Sequence, residues 1–425
     1  TQKISWSQFN KFPHHTFLWE GIDGTRIFTH FPPADTYNAA MSPQELVFNV
    51  TNFLEHGRAS RSLYVYGHGD GGGGPDITML EQAGRLRDFE GLPPVKQERV
   101  SEFLPKAMED ARDAAIWVGE LYLELHRGTY TTQGATKRGN RKSEFLLRDA
   151  EFFDAVSRVL VPDREECAAN PPHAVYDVTG LDSADSHLHA RALDRAWKLL
   201  LLNQFHDIIP GSSIGWVYED SAKDYQTITE LGESVLAGSL KAVDASIDTG
   251  GLTSPVRVGN TLNWERREMI ELPGGSVQTV TVPACGYALC DAAVEAPAPA
   301  APVRVTTGAD GGIELTNGLL RLRLGADGTI ESLWDFEAGR EVLAPGCKAN
   351  VFQMHPDNPL VNDAWDVDIF YKERCQDLLA VDEISILESG PLLASVSVKR
   401  SFGSSSISQK IIMRAESRRI DFVTG

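Results

Sequence analysis

Apolar and polar positions follow three successive styles along the chain, and each predicts a different kind of structure. Over the first hundred residues short apolar runs alternate with helical stripes. In ELVFNVTNFLEHG (45–57) the residues Leu46, Val47, Val50, Phe53 and Leu54 recur at helical spacing and stop at Gly57. SLYVYG (62–67) reads as a strand and DITMLEQAGRLRDFEG (76–91) as a helix closed by glycine. Strand, loop and helix in that order predict an α/β region with a parallel sheet, in which sites lie beyond the carboxyl ends of strands. WVGELYLEL (117–125) sets Trp117, Leu121, Leu123 and Leu125 against Glu120 and Glu124, the period of two expected of a strand.

The second style covers 127–248. Long helical patterns run through EFLLRDAEFFDAVSRVLV, HLHARALDRAWKLLLLNQF and DYQTITELGESVLAGSLKAV, with PDREECAANPPH and PGSS as breakers between them, and predict a three-helix bundle. The third style is β. Residues 249–302 read as a small β segment with an alanine and proline connector, VEAPAPAAPV (294–303). Residues 303–425 read as the N-terminal part of a β-sandwich, in which Asn-Gly at 317 and Asp-Gly at 327 bracket RLRL as hairpin turns. The predicted fold class is therefore multidomain α/β + α + β, with 1–126 as the α/β part.

A chain of 425 residues is too long for one ordinary core, in keeping with several domains. The formal charge of -19 sets nucleic acid and anionic membrane aside as main partners and leaves neutral or cationic small substrates and a homo-oligomer open. No run approaches eighteen apolar residues, and the opening TQKISWSQFNKF lacks the apolar centre of a signal peptide. Cys167, Cys285, Cys290, Cys347 and Cys375 are scattered and odd in number, which suits a reducing compartment and a cytoplasmic location. Cys285 and Cys290 are too loosely spaced for a zinc ribbon.

Two short stretches concentrate candidate chemistry. YGHGDGGGGP (66–75) places His68 and Asp70 beside four consecutive glycines, at what the pattern makes a strand end. Such a run is tolerated where backbone turns sharply or approaches a ligand, so Asp70 is a candidate catalytic carboxylate. Its ordinary alternative is a turn aspartate bonded to local amides, and that of His68 is plain solvation. NQFHDIIPGSS (203–213) puts His206 and Asp207 at the end of a strongly apolar helix, before Pro210 and Gly211 break it. A metal role competes there with a histidine on the helix dipole. His126 and Arg127 fall where the grammar changes, as pocket residues or as a salt-bridged hinge. His14, His15, His187 and His189 have close spacing but no companion acids.

Taken together, QFNKFPHHTFLWEGIDGTRIFTHFPPADTYN (8–38), YGHGDGGGGP, WVGELYLELHRGTYTTQGATKRGNR (117–141), LLLNQFHDIIPGSSI (200–214), GNTLNWERREMIELP (259–273) and NGLLRLRLGADGTIESLWD (317–335) resemble glycoside hydrolase family 38, the retaining α-mannosidases, and its cytosolic and bacterial branch above all. The resemblance implies a zinc-dependent enzyme acting on terminal α-mannosyl residues of oligosaccharides. It implies His206 as a zinc ligand, Asp207 near the sugar, Asp70 as the acid/base, and Tyr37, His68 and His126 around the substrate. The family's remaining zinc ligands and its nucleophilic aspartate have no counterpart here and are expected upstream of residue 1, so the chain reads as a fragment. NPLVNDAWDVD (358–368) departs from the family's usual form. A non-catalytic carbohydrate-binding or assembly module that kept the fold is the alternative.

Overall fold

The computed structural model describes residue 5, residue 7 and residues 10–69, 71–161, 188–295 and 297–425. The chain divides into two compact units, Thr1–Arg127 and Gly128–Gly425. Among the described residues there are six α-helices and six small sheets, a mixed α/β multidomain arrangement.

In the first unit β1 (Thr16–Glu20) and β2 (Arg26–His30) form an antiparallel pair, and β3 (Ala115–Val118) joins β1 in parallel. The sheet is therefore mixed and three-stranded, not the parallel sheet that the pattern predicts. SLYVYG is not a strand. Its single ladder contact is the bridge from Tyr66 to Ala39, and the Leu63 N–H is given instead to His30 Nε2 at 3.0 Å. The extended run from Trp117 also stops early, at Gly119, whose φ of 120° turns the backbone out of the strand.

The three helices of this unit are set by their caps and stripes. In α1 (Pro43–Thr51) the Ser42 side chain accepts from Glu45 N–H while the Glu45 carboxylate accepts from Ser42 N–H, with proline at the first position. In α2 (Ile77–Arg85) Asp76 accepts from Met79 N–H at 2.8 Å. α3 spans Val100–Asp110. Met41, Leu46, Met79, Ala83 and Leu86 make one core. Phe17 and Phe31 make a second, with Phe12, Trp117, Leu121 and Leu123 against it.

The second unit begins with α4 (Gly134–Leu160), α5 (Leu188–Asn203) and α6 (Gly215–Ala245). They share one apolar core of Leu147, Ala150, Ala192, Leu193, Ala196, Leu200, Ile228, Leu231 and Val235, the residues that carry the helical stripe in the sequence. After them come β4 (Pro255–Asn260), β5 (Arg266–Glu271), β6 (Val277–Val282) and β7 (Gly286–Asp291), in two antiparallel pairs, β4 with β7 and β5 with β6.

A five-stranded sheet follows: β8 (Arg304–Thr307), β9 (Ile313–Thr316), β10 (Leu320–Leu324), β11 (Ile330–Asp335) and β12 (Arg340–Glu341). The short pair β13 (Gln353–Met354) and β14 (Gln376–Asp377) leads into a four-stranded sheet of β15 (Glu383–Ser389), β16 (Leu393–Phe402), β17 (Ser405–Arg414) and β18 (Ile420–Thr424). Leu315, Leu322 and Leu324 from the first of these sheets and Val396, Ile411 and Met413 from the second lie in one buried cluster. Alternate residues of β9, β10, β16 and β17 face that core, as a period of two requires. The Asn-Gly and Asp-Gly turns join β9 to β10 and β10 to β11.

Candidate functional site

In the first unit the glycine loop closes on itself. Gly73 N–H donates to His68 C=O at 2.8 Å, and Gly72 N–H to Gly69 C=O at 3.2 Å. Gly67 N–H ties the loop back to Ala39 C=O at 3.0 Å. Asp70, the candidate acid/base, lies outside the described residues. Its neighbour Gly69 does not: a Cβ there would stand 2.5 Å from Tyr37 Cδ2 and 2.6 Å from Asn38 Oδ1, so any side chain would collide with the half-buried tyrosine. Tyr37 and the glycine loop are thus brought together, 32 residues apart in sequence, by backbone that only glycine permits.

His68 is exposed, with Nε2 3.5 Å from Asp76 Oδ2. The Met79 N–H bond, more than His68, holds the Asp76 carboxyl below its ordinary value. His126, next to last in the first unit, takes a left-handed conformation, φ 52°, and is half-buried. The next residue, Arg127, pairs with Glu124 one turn earlier.

The second unit carries the His206–Asp207 pair on a tight double turn past the end of α5. Ile208 and Ile209 N–H both donate to Phe205 C=O, at 2.9 and 3.1 Å, and Gly211 N–H donates to Ile208 C=O at 3.0 Å. His206 is three-quarters exposed; its Nε2 lies 3.4 Å from Asp207 Oδ2, and the Phe205 ring sits 4.4 Å from its own. The imidazole is therefore open to a ligand.

Asp207 is held more firmly. Ser212 Oγ donates to Oδ1 at 3.0 Å, while the Asp207 carbonyl accepts from Ser213 Oγ at 2.8 Å and from Tyr218 OH at 3.2 Å. Tyr218 OH in turn accepts from Ser213 N–H at 2.8 Å, so the first turn of α6 fixes the pair from below. On the other side, Lys137 Nζ donates to Ile209 C=O at 2.8 Å and to Thr132 C=O at 2.6 Å. Gly211, φ 93°, presses on the same Thr132 carbonyl, where a Cβ would stand at 2.5 Å.

These supporting residues escape a reading of the sequence. The serines of PGSS look like loop punctuation, and Lys137 like one of several cations at a helix start. One signal was present: Lys137 has Asn140 and Arg141 three and four residues on, so no carboxylate stands where a helical lysine would find one.

Among the described residues no group of three or more His, Cys, Asp or Glu side chains is placed to hold a metal ion. His206 with Asp207 offers two adjacent ligands at most, short of the four protein donors of a structural zinc or the three of a catalytic one. The described residues do not by themselves fit zinc. None of the described helices is long and apolar enough to cross a membrane.

Comparison with known proteins gives the architecture its family. Residues 1–120 match the glycosyl hydrolases family 38 N-terminal domain, 124–243 the alpha mannosidase middle domain, and 315–425 the family 38 C-terminal domain. Alpha-mannosidase 2C1 of Mus musculus is 38% identical over 387 residues, covering 89% of this chain and 35% of the relative. Alpha-mannosidase G of Dictyostelium discoideum is 32% identical over 478 residues, covering 100% of this chain and 42% of the relative. The crystal structure of an alpha-mannosidase from Enterococcus faecalis V583 superposes with a TM-score of 0.64 at 16% identity, over 97% of this chain and 56% of that one, and so shares the fold.

The matched segments thus define the class by architecture, a multidomain α/β protein of the kind found in family 38. More particularly, the chain belongs to glycosyl hydrolase family 38, and it spans little more than a third of the length of the mouse relative.

Proposed function

We propose that the chain is part of a retaining, zinc-dependent α-mannosidase that removes terminal α-mannosyl residues from oligosaccharides in the cytoplasm. The observation that carries this reading is the run of three family segments in order, with the His206–Asp207 pair presented on a braced turn inside the middle one. In this reading Asp70 is the acid/base, and Tyr37, His68, His126 and Asp207 contact the sugar. A retaining hydrolase needs a second carboxylate about 5 to 5.5 Å from the first to attack the anomeric carbon. Asp70 would protonate the leaving oxygen and then draw a proton from water. His206 would supply one zinc ligand, the others lying outside the described residues, and bound zinc would polarise the reacting sugar. The four described cysteines are free thiols, in keeping with a reducing compartment.

The test is hydrolysis of an aryl α-mannoside and zinc content, measured on the 425-residue chain and on a version extended upstream. Turnover and zinc in the extended version, with Asp70→Asn losing most activity on a poor leaving group and His206→Ala losing zinc, support the reading. A well-folded extended version with neither turnover nor zinc overturns it in favour of a carbohydrate-binding module.

A further inference from the structure

Lys137 stands where a lysine is least welcome. It is the fourth residue of α4, at the positive end of the helix dipole, and the helix has no acidic residue in its first turn. It is partly buried, and burial pulls its ammonium below the ordinary lysine value. No carboxylate pairs with it among the described residues; both groups it bonds are main-chain carbonyls, Thr132 at 2.6 Å and Ile209 at 2.8 Å. The helix gains nothing from a cation in that place. The gain goes to the two loops, which an ammonium with three donors can tie together at one point.

The two loops differ in what they carry. Thr132 belongs to the turn that begins at Gly128, closed by its own Oγ1 and N–H on Gly128 C=O at 2.8 and 3.0 Å. Ile209 belongs to the turn that carries His206 and Asp207. Gly211 lies so near the Thr132 carbonyl that a Cβ would stand 2.5 Å from its oxygen, so the lysine ties together loops that leave no room for a side chain between them.

We infer that Lys137 is a positioning residue: its ammonium clamps the His206–Asp207 turn to the 128–132 turn and so fixes the pair against the substrate. The inference rests on the mannosidase reading for what the pair does, and on the structure for the clamp itself.

The experiment compares Lys137→Met, Lys137→Arg and, as a control, Lys198→Met, which loses only an exposed ion pair to Asp194 on α5. Amide hydrogen exchange on the 425-residue chain reads the clamp without any need for activity. Lys137→Met should speed exchange in 205–214 and 129–133 by roughly tenfold or more while the interiors of α4, α5 and α6 keep their protection. Lys137→Arg should restore part of it, and Lys198→Met should leave both turns unchanged. In the version that turns over aryl α-mannoside, Lys137→Met should lower kcat/KM by about tenfold to a hundredfold, as a misplaced reacting group does.

Wild-type exchange in both turns of Lys137→Met overturns the clamp. Loosened turns with unchanged kcat/KM overturn the positioning role. Absence of mannoside hydrolysis in every wild-type version refutes the enzymatic reading instead, and the exchange data still decide the clamp.

Discussion

Protonation of His30 is opposed from two directions. Its Nε2 accepts from Leu63 N–H at 3.0 Å, which leaves the proton on Nδ1 to be donated to Thr16 Oγ1 at 2.8 Å, and a charged ring would have to break the first bond. Burial, with the nearby His15 adding repulsion, lowers its pKa from 6.5 to about 4. His15 is built likewise: Nδ1 accepts from Leu54 N–H at 3.1 Å, and burial lowers its pKa although Glu55 and Asp35 pull the other way. The unfolded chain binds a proton at His30 near pH 6.5 and the folded chain only near 4, so stability is complete above 6.5 and is lost as pH falls towards 4. The loss from His30 is about 3 kcal/mol. Urea unfolding of the chain at pH 7 and pH 5, with the imidazole followed by NMR, checks this; titration of His30 near 6.5 would refute it. Sequence spacing gave His15 no companion acids and did not single out His30, because the main-chain N–H groups that bond His30 Nε2 and His15 Nδ1 lie more than thirty residues away.

At the scale of elements, legibility follows where the hydrogen bonds go. The three long helices satisfy their own backbone groups, so the apolar stripe suffices to find them, and α4, α5 and α6 lie on the patterns that mark them. Strands depend on neighbours that sequence does not show. SLYVYG has the composition of a strand, yet His30 takes one of its N–H groups and only Tyr66 finds a bridge. The β9–β10 turn is legible through Asn317-Gly318, but the work of Asn317 goes beyond the turn. Fully buried, its Nδ2 donates to Arg414 and Ser417 carbonyls at 2.7 Å each, while Oδ1 accepts from Leu319 and Leu320 N–H at 3.0 and 2.9 Å. One side chain therefore stitches the five-stranded sheet to the chain leaving β17. Asn317→Ala removes all four of these bonds at a buried site and should cost about 3 kcal/mol. Exchange in β9, β10 and β17 should rise while α4 to α6 keep their protection; a loss confined to the turn would refute the stitch. The candidate site is half legible in the same sense: His206 and Asp207 stand out by residue type, whereas Lys137, Ser213 and Tyr218 matter through carbonyls that no pattern marks.

At the scale of the molecule, charge sets a term that no single contact carries. Asp and Glu outnumber Lys and Arg by 19, and many of the cations already sit in exposed pairs such as Lys198 with Asp194 and Arg85 with Glu81. Exposed pairs of this kind contribute about 0 to 1 kcal/mol each, and salt weakens them. Salt also screens repulsion among the unpaired carboxylates, which opposes the compact state over the whole surface. The two effects have opposite signs. With so large an excess of one charge the repulsive term should win, and raising sodium chloride from about 0.02 to about 0.3 M at pH 7.5 should raise the melting temperature by a few degrees. A melting temperature that falls with salt would mean that the paired charges, not the excess, dominate, and would make substitutions in networks such as Arg323 with Asp310 and Glu331 the next ones to measure.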